Sequence, residues 1–261
     1  MNNFGKYIAI TALLGAGASG TITTVSAGET GAKYVSNGAV KFIPNTDPTN
    51  PIDPTDPTNP DPVDPIDPTN PDGPNPGTPG PLSIDFASSL DFGVNKISSK
   101  NEIYYASPQT YKEEGKTTPN YVQVTDNRGS STGWTLKVLQ DNQFSNATAK
   151  YNELKGAQIT INDSQAVSNA IGVTAPTVAA EIELTPGSPV TVMTAAEGAG
   201  DGTWLNRFGT NEMKTEVQAD GTSKEVEKNT SVQLAVPGST PKSAVEYRST
   251  LTWLLSDVVS N

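Results

Sequence analysis

The sequence predicts an all-β protein, an antiparallel β-sandwich or barrel-like domain with long loops, and three observations carry that expectation. From residue 82 onward, short runs rich in β-branched and aromatic residues recur between clusters of Gly, Pro, Asn and Ser. Helical periodicity is nearly absent: only "NATAKYNELKG" and "DSQAVSNAIG" read as short helices or turns. Gly (23) and Pro (21) are abundant while 17% of residues are charged, a balance that suits an exported β chain with long turns.

Composition also excludes much chemistry. The chain has no cysteine and no histidine, which removes disulfides, thiolate metal sites and the commonest general base. The formal charge of −11, with no clustered Lys or Arg, argues against nucleic acid and against anionic membranes as partners. No cofactor and no metal site is expected; scattered carboxylates permit calcium without arguing for it.

Along the chain, residues 1–27 read as an export signal. Lys6 supplies the charge, "YIAITALLGAGA" the apolar run, and Val25-Ser26-Ala27 the small residues before cleavage. Residues 28–43 contain a short head with strand character in "AVKFI", expected to pair with an edge of the main domain. No sorting motif or basic tail follows "SDVVSN", so attachment to a cell is expected to be non-covalent.

Residues 44–81 form a disordered Pro/Asp-rich linker by composition. Prolines at 48, 51, 54, 57 and 60, then at 62, 65, 68, 71 and 74, match the three-residue turn of polyproline II. Successive carboxylates then lie roughly 9 Å apart, too far to share one ion, and the segment reads as a stiff spacer of roughly 100 Å.

The remaining residues, 82–261, hold the strand runs, among them "LSIDF", "SLDFG", "EIYYA", "NYVQVTD", "GWTLKVLQ", "AQITIND", "VAAEIEL", "PVTVM", "TWLNRFG", "SVQLAVP" and "AVEYRSTLTWLL". The long interval from Val190 to Gln233 leaves room for functional loops or a small subdomain. Two of the three tryptophans stand in W-x-L: Trp134 with Leu136, and Trp253 with Leu255. In a strand, residues i and i+2 share a face, so Trp134, Leu136 and Val138 form one apolar side, and Val245, Tyr247, Ser249, Leu251, Trp253 and Leu255 lie on one face of the last strand. By size alone such faces belong to a core.

The order "SLDFG", "YYA", "YVQVTDNRGSSTGWTLKV", "GTWLNRFG" and "VQLAVPGSTPKSAVEYRSTLTWLLSD" resembles the WxL domain of Gram-positive surface proteins over residues 82–261. The first W-x-L follows D-x-R-G and the second lies inside Y-x-x-x-L-T-W; a usual short proline-containing tail is replaced here by "LLSDVVSN". The resemblance implies a secreted, non-enzymatic protein that attaches non-covalently to peptidoglycan, often in complexes with other exported surface proteins. It ties Trp134, Leu136, Trp253 and Leu255 to attachment.

Peptidoglycan presents sugar faces and peptide amides, which an aromatic platform with flanking polar groups can meet. Trp204, after the Gly-rich "AEGAGDG", is a third candidate platform, its lead-in suiting either a binding loop or a plug that closes the core. Asp126 and Arg128 read either as glycan or stem-peptide contacts or as a turn-capping pair. The two motif strands are expected to lie side by side. Two other classes are an adhesin or surface-complex subunit binding proteins through an edge or apolar patch, and a glycan hydrolase using two acids from among Asp126, Asp141, Glu181 and Glu183, which no spacing singles out.

Overall fold

A computed structural model describes residues 33–217 and 221–258. The export signal expected at 1–27 lies outside the described residues, as do the first residues of the head. The chain divides into two compact units, Met1–Lys41 and Phe42–Asn261. In the first, residues 33–41 are exposed and carry no strand.

In the second unit fifteen strands are found among the described residues, and no helix. They are β1 (Leu82–Ala87), β2 (Glu102–Ala106), β3 (Gln109–Thr110), β4 (Thr117–Thr118), β5 (Tyr121–Asp126), β6 (Trp134–Gln140), β7 (Gln158–Asn162), β8 (Ser164–Ser168), β9 (Thr177–Val178), β10 (Glu181–Leu184), β11 (Val190–Ala195), β12 (Gly202–Phe208), β13 (Asn211–Val217), β14 (Ser223–Val236) and β15 (Leu251–Ser256). Named strands pair antiparallel throughout. One sheet runs β1-β5-β12-β8, a second β10-β7-β14-β13 with β2 also on β14, a third β15-β6-β11-β9, and β3-β4 form a small ribbon. The all-β antiparallel expectation therefore holds.

One core joins the three large sheets. Val122 and Val124, Trp134, Leu136 and Val138, Ile159 and Ile161, Ile182 and Leu184, and Trp204 and Phe208 are all buried in it. Within each strand these residues are spaced by two, or by four for Trp204 and Phe208, as one face of a pleated strand requires. Along β1 the pattern breaks: Ile84 pairs with Val124, but Phe86 pairs with Gln123, because a bulge falls between them. The extra residue turns Phe86 to the outer face, where it joins Ile52, Tyr111, Tyr121 and Leu205 in a second apolar cluster.

Ile52 belongs to the proline-rich segment, which differs from the extended spacer expected from its proline spacing. Residues 44–81 lie against the domain as a strap. Val63 N donates to Pro51 O, Ile66 N to Thr110 O, and Lys112 N to Asp64 O, with an isolated bridge between Pro65 and Tyr111. The reason is local. Asp53 accepts from Thr55 N (2.8 Å) and Thr55 Oγ1 (2.6 Å), and Asp67 does the same for Thr69. Asx turns of this kind reverse the chain where a polyproline helix would run on, and burial of Ile52 fixes the result.

Other expectations are refined. "SLDFG" is not a strand, although Phe92 reaches the core. "DSQAVSNAIG" supplies β8 and not a helix, since Ala166 packs on the main core and Val167 on the second cluster, a two-sided burial that needs a strand. "NATAKYNELKG" forms turns, with a bridge from Ser145 to Glu153.

Candidate functional site

The two motif strands are neighbours. In the β15-β6 ladder Leu255 stands opposite Leu136 and Trp253 opposite Val138. Trp134 lies further along, opposite Ala195 of β11. Strand alternation sends tryptophan and leucine of both motifs inward. Trp134 and Leu136 have no solvent exposure, whereas Trp253 and Leu255, on an edge strand, are half-buried against the rim of the same core.

Alternation sends Leu254, the middle of the second motif, and the flanks of both motifs to the opposite face, where Thr135, the middle of the first, is itself covered. Leu254 pairs with Lys137, Thr252 with Leu139, and Ser256 with Thr135; on the other side of β6, Thr191 pairs with Lys137 and Thr194 with Thr135. This outer face of β15-β6-β11 therefore carries Lys137, Leu139, Thr191, Thr194, Thr252 and Leu254. Leu254 is 43% exposed, a large apolar side chain held in water beside threonine hydroxyls and one ammonium. Thr252 Oγ1 donates to Asp141 Oδ2 at 3.0 Å. The strand pattern could have located this face in the sequence, because it is the complement of the apolar one.

Trp204, on β12 of a different sheet, is buried as well. Its indole Nε1 donates to Asp201 O at 3.0 Å, and Trp134 Nε1 donates to Gly200 O at 3.1 Å. Two indoles from two sheets thus grip consecutive carbonyls of the "AEGAGDG" loop. Further bonds pin that loop: Gly198 N to Ser131 O, Gly200 N to Thr174 O, and Ser131 Oγ to Asp201 Oδ2 at 2.7 Å. It is a plug over the core end, the second of the two roles its glycines suggested. Gly200 has φ +76°, and a Cβ there would overlap Ala195 Cβ and stand 2.8 Å from Trp134 Nε1. Only glycine fits between that indole and β11.

Asp126 and Arg128 adopt the turn-capping arrangement. Arg128 Nε donates to Asp126 Oδ1 at 2.9 Å, Nη2 donates to Oδ2 at 2.7 Å and also to Gly133 O at 2.7 Å, and Arg128 N donates to Oδ1 at 3.1 Å. The Asp126 carboxylate is fully covered and the guanidinium nearly so. Hydrogen bonding to Asp126 raises the already high Arg128 pKa, outweighing the opposing effect of burial. The fork locks the turn that leads directly into Trp134.

The four acids weighed for hydrolysis do not share one role. Asp126 is committed to Arg128, Asp141 holds Thr252, and Glu181 and Glu183 stand exposed on β10 of the second sheet. Among the described residues no group of three or more His, Cys, Asp or Glu is arranged to hold a metal ion.

Of the seven residues singled out in the sequence, the structure brings Trp134, Leu136, Trp253 and Leu255 together on adjacent strands. It joins Trp204, Asp126 and Arg128 to Trp134 through the plug and the turn. It opens only Trp253, Leu255 and part of Arg128 to solvent.

A family profile described as "WxL domain surface cell wall-binding" matches residues 29–258. No curated protein and no solved structure matches the chain.

Proposed function

The chain belongs to the WxL family of cell-wall-binding surface domains and is thus a cell-surface protein; from that premise we propose that it attaches non-covalently to peptidoglycan through the outer face of β15-β6-β11. Residues 1–27 direct export and are removed after Ala27. The protein binds the wall and does not hydrolyse it.

The observation that carries this reading is the division of labour in the paired motif strands. Trp134, Leu136, Trp253 and Leu255 pack inward, while Leu254 of the second motif and its cross-strand neighbour Lys137 lie on the opposite face, with Thr135 of the first motif covered. Such a surface suits a glycopeptide. Threonine hydroxyls donate and accept around sugar hydroxyls and amides, Leu254 and Leu139 meet pyranose faces and N-acetyl methyls, and Lys137 meets a stem-peptide carboxylate. Trp134, Trp204, Asp126 and Arg128 then serve attachment as scaffold, with Trp253 the indole best placed to touch the ligand from the edge.

The test is cosedimentation of the purified protein with purified sacculi, before and after chemical removal of secondary wall polymers, with the soluble fraction examined for released muropeptides. Binding that persists on stripped sacculi, is reversed by denaturant and releases no fragments is the expected result. Binding lost with the secondary polymers would move the ligand away from peptidoglycan, and fragment release would make the protein a hydrolase.

A further inference from the structure

The outer face of β1-β5-β12-β8 has the chemistry of a peptide-recognition site. Its floor is Phe86, Tyr121 and Leu205, with Tyr111 beside them, all buried around Ile52 of the strap. Above the floor, the Gln123 side-chain amide reads the strap backbone at two points: Ile52 N donates to Gln123 Oε1 at 2.9 Å, and Gln123 Nε2 donates to Asn50 O at 3.0 Å. At the side, Lys116 Nζ holds Asp53 Oδ2 at 3.0 Å. Aromatic side chains beneath Ile52 and Val63 of a proline-rich segment, an amide matched to main-chain groups and a cation for the segment's acid are elements by which grooves read extended chains.

Several features separate this contact from the main core. The face keeps its own polar groups in order without the strap: Asp85 accepts from Ser83 Oγ at 2.7 Å and from Thr125 Oγ1 at 2.6 Å, both on the receptor side. Water can satisfy Gln123 and Lys116 if the strap leaves, as it cannot satisfy groups in a closed core. The ligand is preorganised. Proline restrains its backbone and the Asp53–Thr55 turn is closed by its own side chains, so little conformational freedom is lost on seating. The tether to β1 passes through Pro74, Asn75 and Pro76, all exposed, between Gly73 at φ +91° and Gly80 at φ +111°.

We infer that this face is a recognition site for a proline-rich, aspartate-bearing extended segment, filled here by residues 50–66 of the same chain and able to take the same segment from a second copy. Seated in trans, residues 50–66 make the same contacts as in cis. The competition is then set by the effective concentration of the tethered strap, on the order of millimolar for a short linker. Copies crowded on one surface approach that regime, and exchange would link neighbours without any new interface.

The test inserts a protease site between Pro74 and Asn75 of the full chain and cuts the purified protein. The strap fragment is expected to co-elute with the domain after cutting, and a fluorescent peptide of residues 44–74 to replace it over time, as read by anisotropy. Gln123→Ala and Lys116→Glu are each expected to weaken peptide binding about tenfold, the loss of roughly one or two charge-assisted or neutral hydrogen bonds. Uncut protein is expected to form a dimer that grows with concentration and is dissolved by excess peptide. Departure of the strap with no rebinding of peptide would overturn the site. So would loss of near-ultraviolet circular dichroism on strap release, which would make the strap part of the fold and not a ligand. A monomer at every concentration would overturn exchange between copies.

Discussion

Replacing Trp134 by alanine removes an indole with no solvent exposure from the junction of β6, β11 and the glycine-rich plug. Truncating a buried tryptophan costs about 3–5 kcal/mol, because the transfer free energy is lost and the cavity closes only in part. Loss of the donor to Gly200 O adds about 1 kcal/mol. The sum, about 4–6 kcal/mol, is a large share of the roughly 5–15 kcal/mol that holds a domain folded. For a unit of this size each kcal/mol lowers Tm by about 2–4 °C, so a fall of about 10–20 °C is expected. Trp134→Phe keeps most of the apolar volume and gives up the N–H, which predicts a loss of about 1–2 kcal/mol. Trp253→Ala acts on a half-buried side chain of an edge strand and should cost about 1–2 kcal/mol, in proportion to the area it covers. Thermal unfolding followed by far-ultraviolet circular dichroism ranks the three variants. A Trp134→Ala protein melting within about 3 °C of the parent would refute the reasoning, since a buried indole with a satisfied N–H cannot be removed so cheaply.

Other outcomes follow from the same geometry. Arg128→Ala strands the covered Asp126 carboxylate and should destabilise by about 3 kcal/mol in denaturant unfolding, with Arg128→Lys intermediate because it keeps the charge without the fork. Gly200→Ala places a Cβ against Ala195 and Trp134 at a left-handed φ and should cost at least about 2 kcal/mol, visible as a lower urea midpoint at unchanged slope. Acid dependence should show opposing contributions from Asp53 and Asp85. Burial acts to raise the Asp53 pKa, but the bonds from Thr55 and Lys116 prevail and lower it; its stabilising contribution is therefore present above the ordinary carboxylate value and is lost as pH falls through the lowered one. Burial raises the Asp85 pKa despite bonds from Thr125, Ser83 and Gln123, so its charged form costs stability above the raised value and that cost is relieved as pH falls. Stability curves of Asp53→Asn and the parent should accordingly converge at low pH and separate toward neutrality.

Much of the fold was legible because burial leaves a period-two mark. "YVQVTD", "WTLKVLQ", "QITIN" and "TWLNRF" each alternate between faces, and each is a strand within a residue or two of its expected limits. The W-x-L residues read as core by size and spacing, and Trp134 and Leu136 are buried while Trp253 and Leu255 are half-buried. What escaped was structure without that mark. β13 and the first half of β14 form a charged ribbon in which Lys214 pairs with Glu212 and Lys228 with Glu216, and Met213 stands exposed, so no apolar face signals them. The bulge that turns Phe86 outward is one residue of register, invisible to alternation. Proline spacing describes a backbone in isolation, while Asx turns and one buried isoleucine decide the path of the strap. The outward face of the motif strands follows from the same alternation, but its polar residues carry no mark that separates a binding surface from a solvated one.

The most direct measurement on the central claim is sacculus binding by Leu254→Asp, a substitution on the exposed side of β15 that leaves the motif tryptophans and the bond from Trp134 to Gly200 O in place. The protein should melt within a few degrees of the parent, as surface changes do, and yet remain in the supernatant when sacculi are pelleted. Undiminished pelleting of the folded variant would contradict attachment through this face.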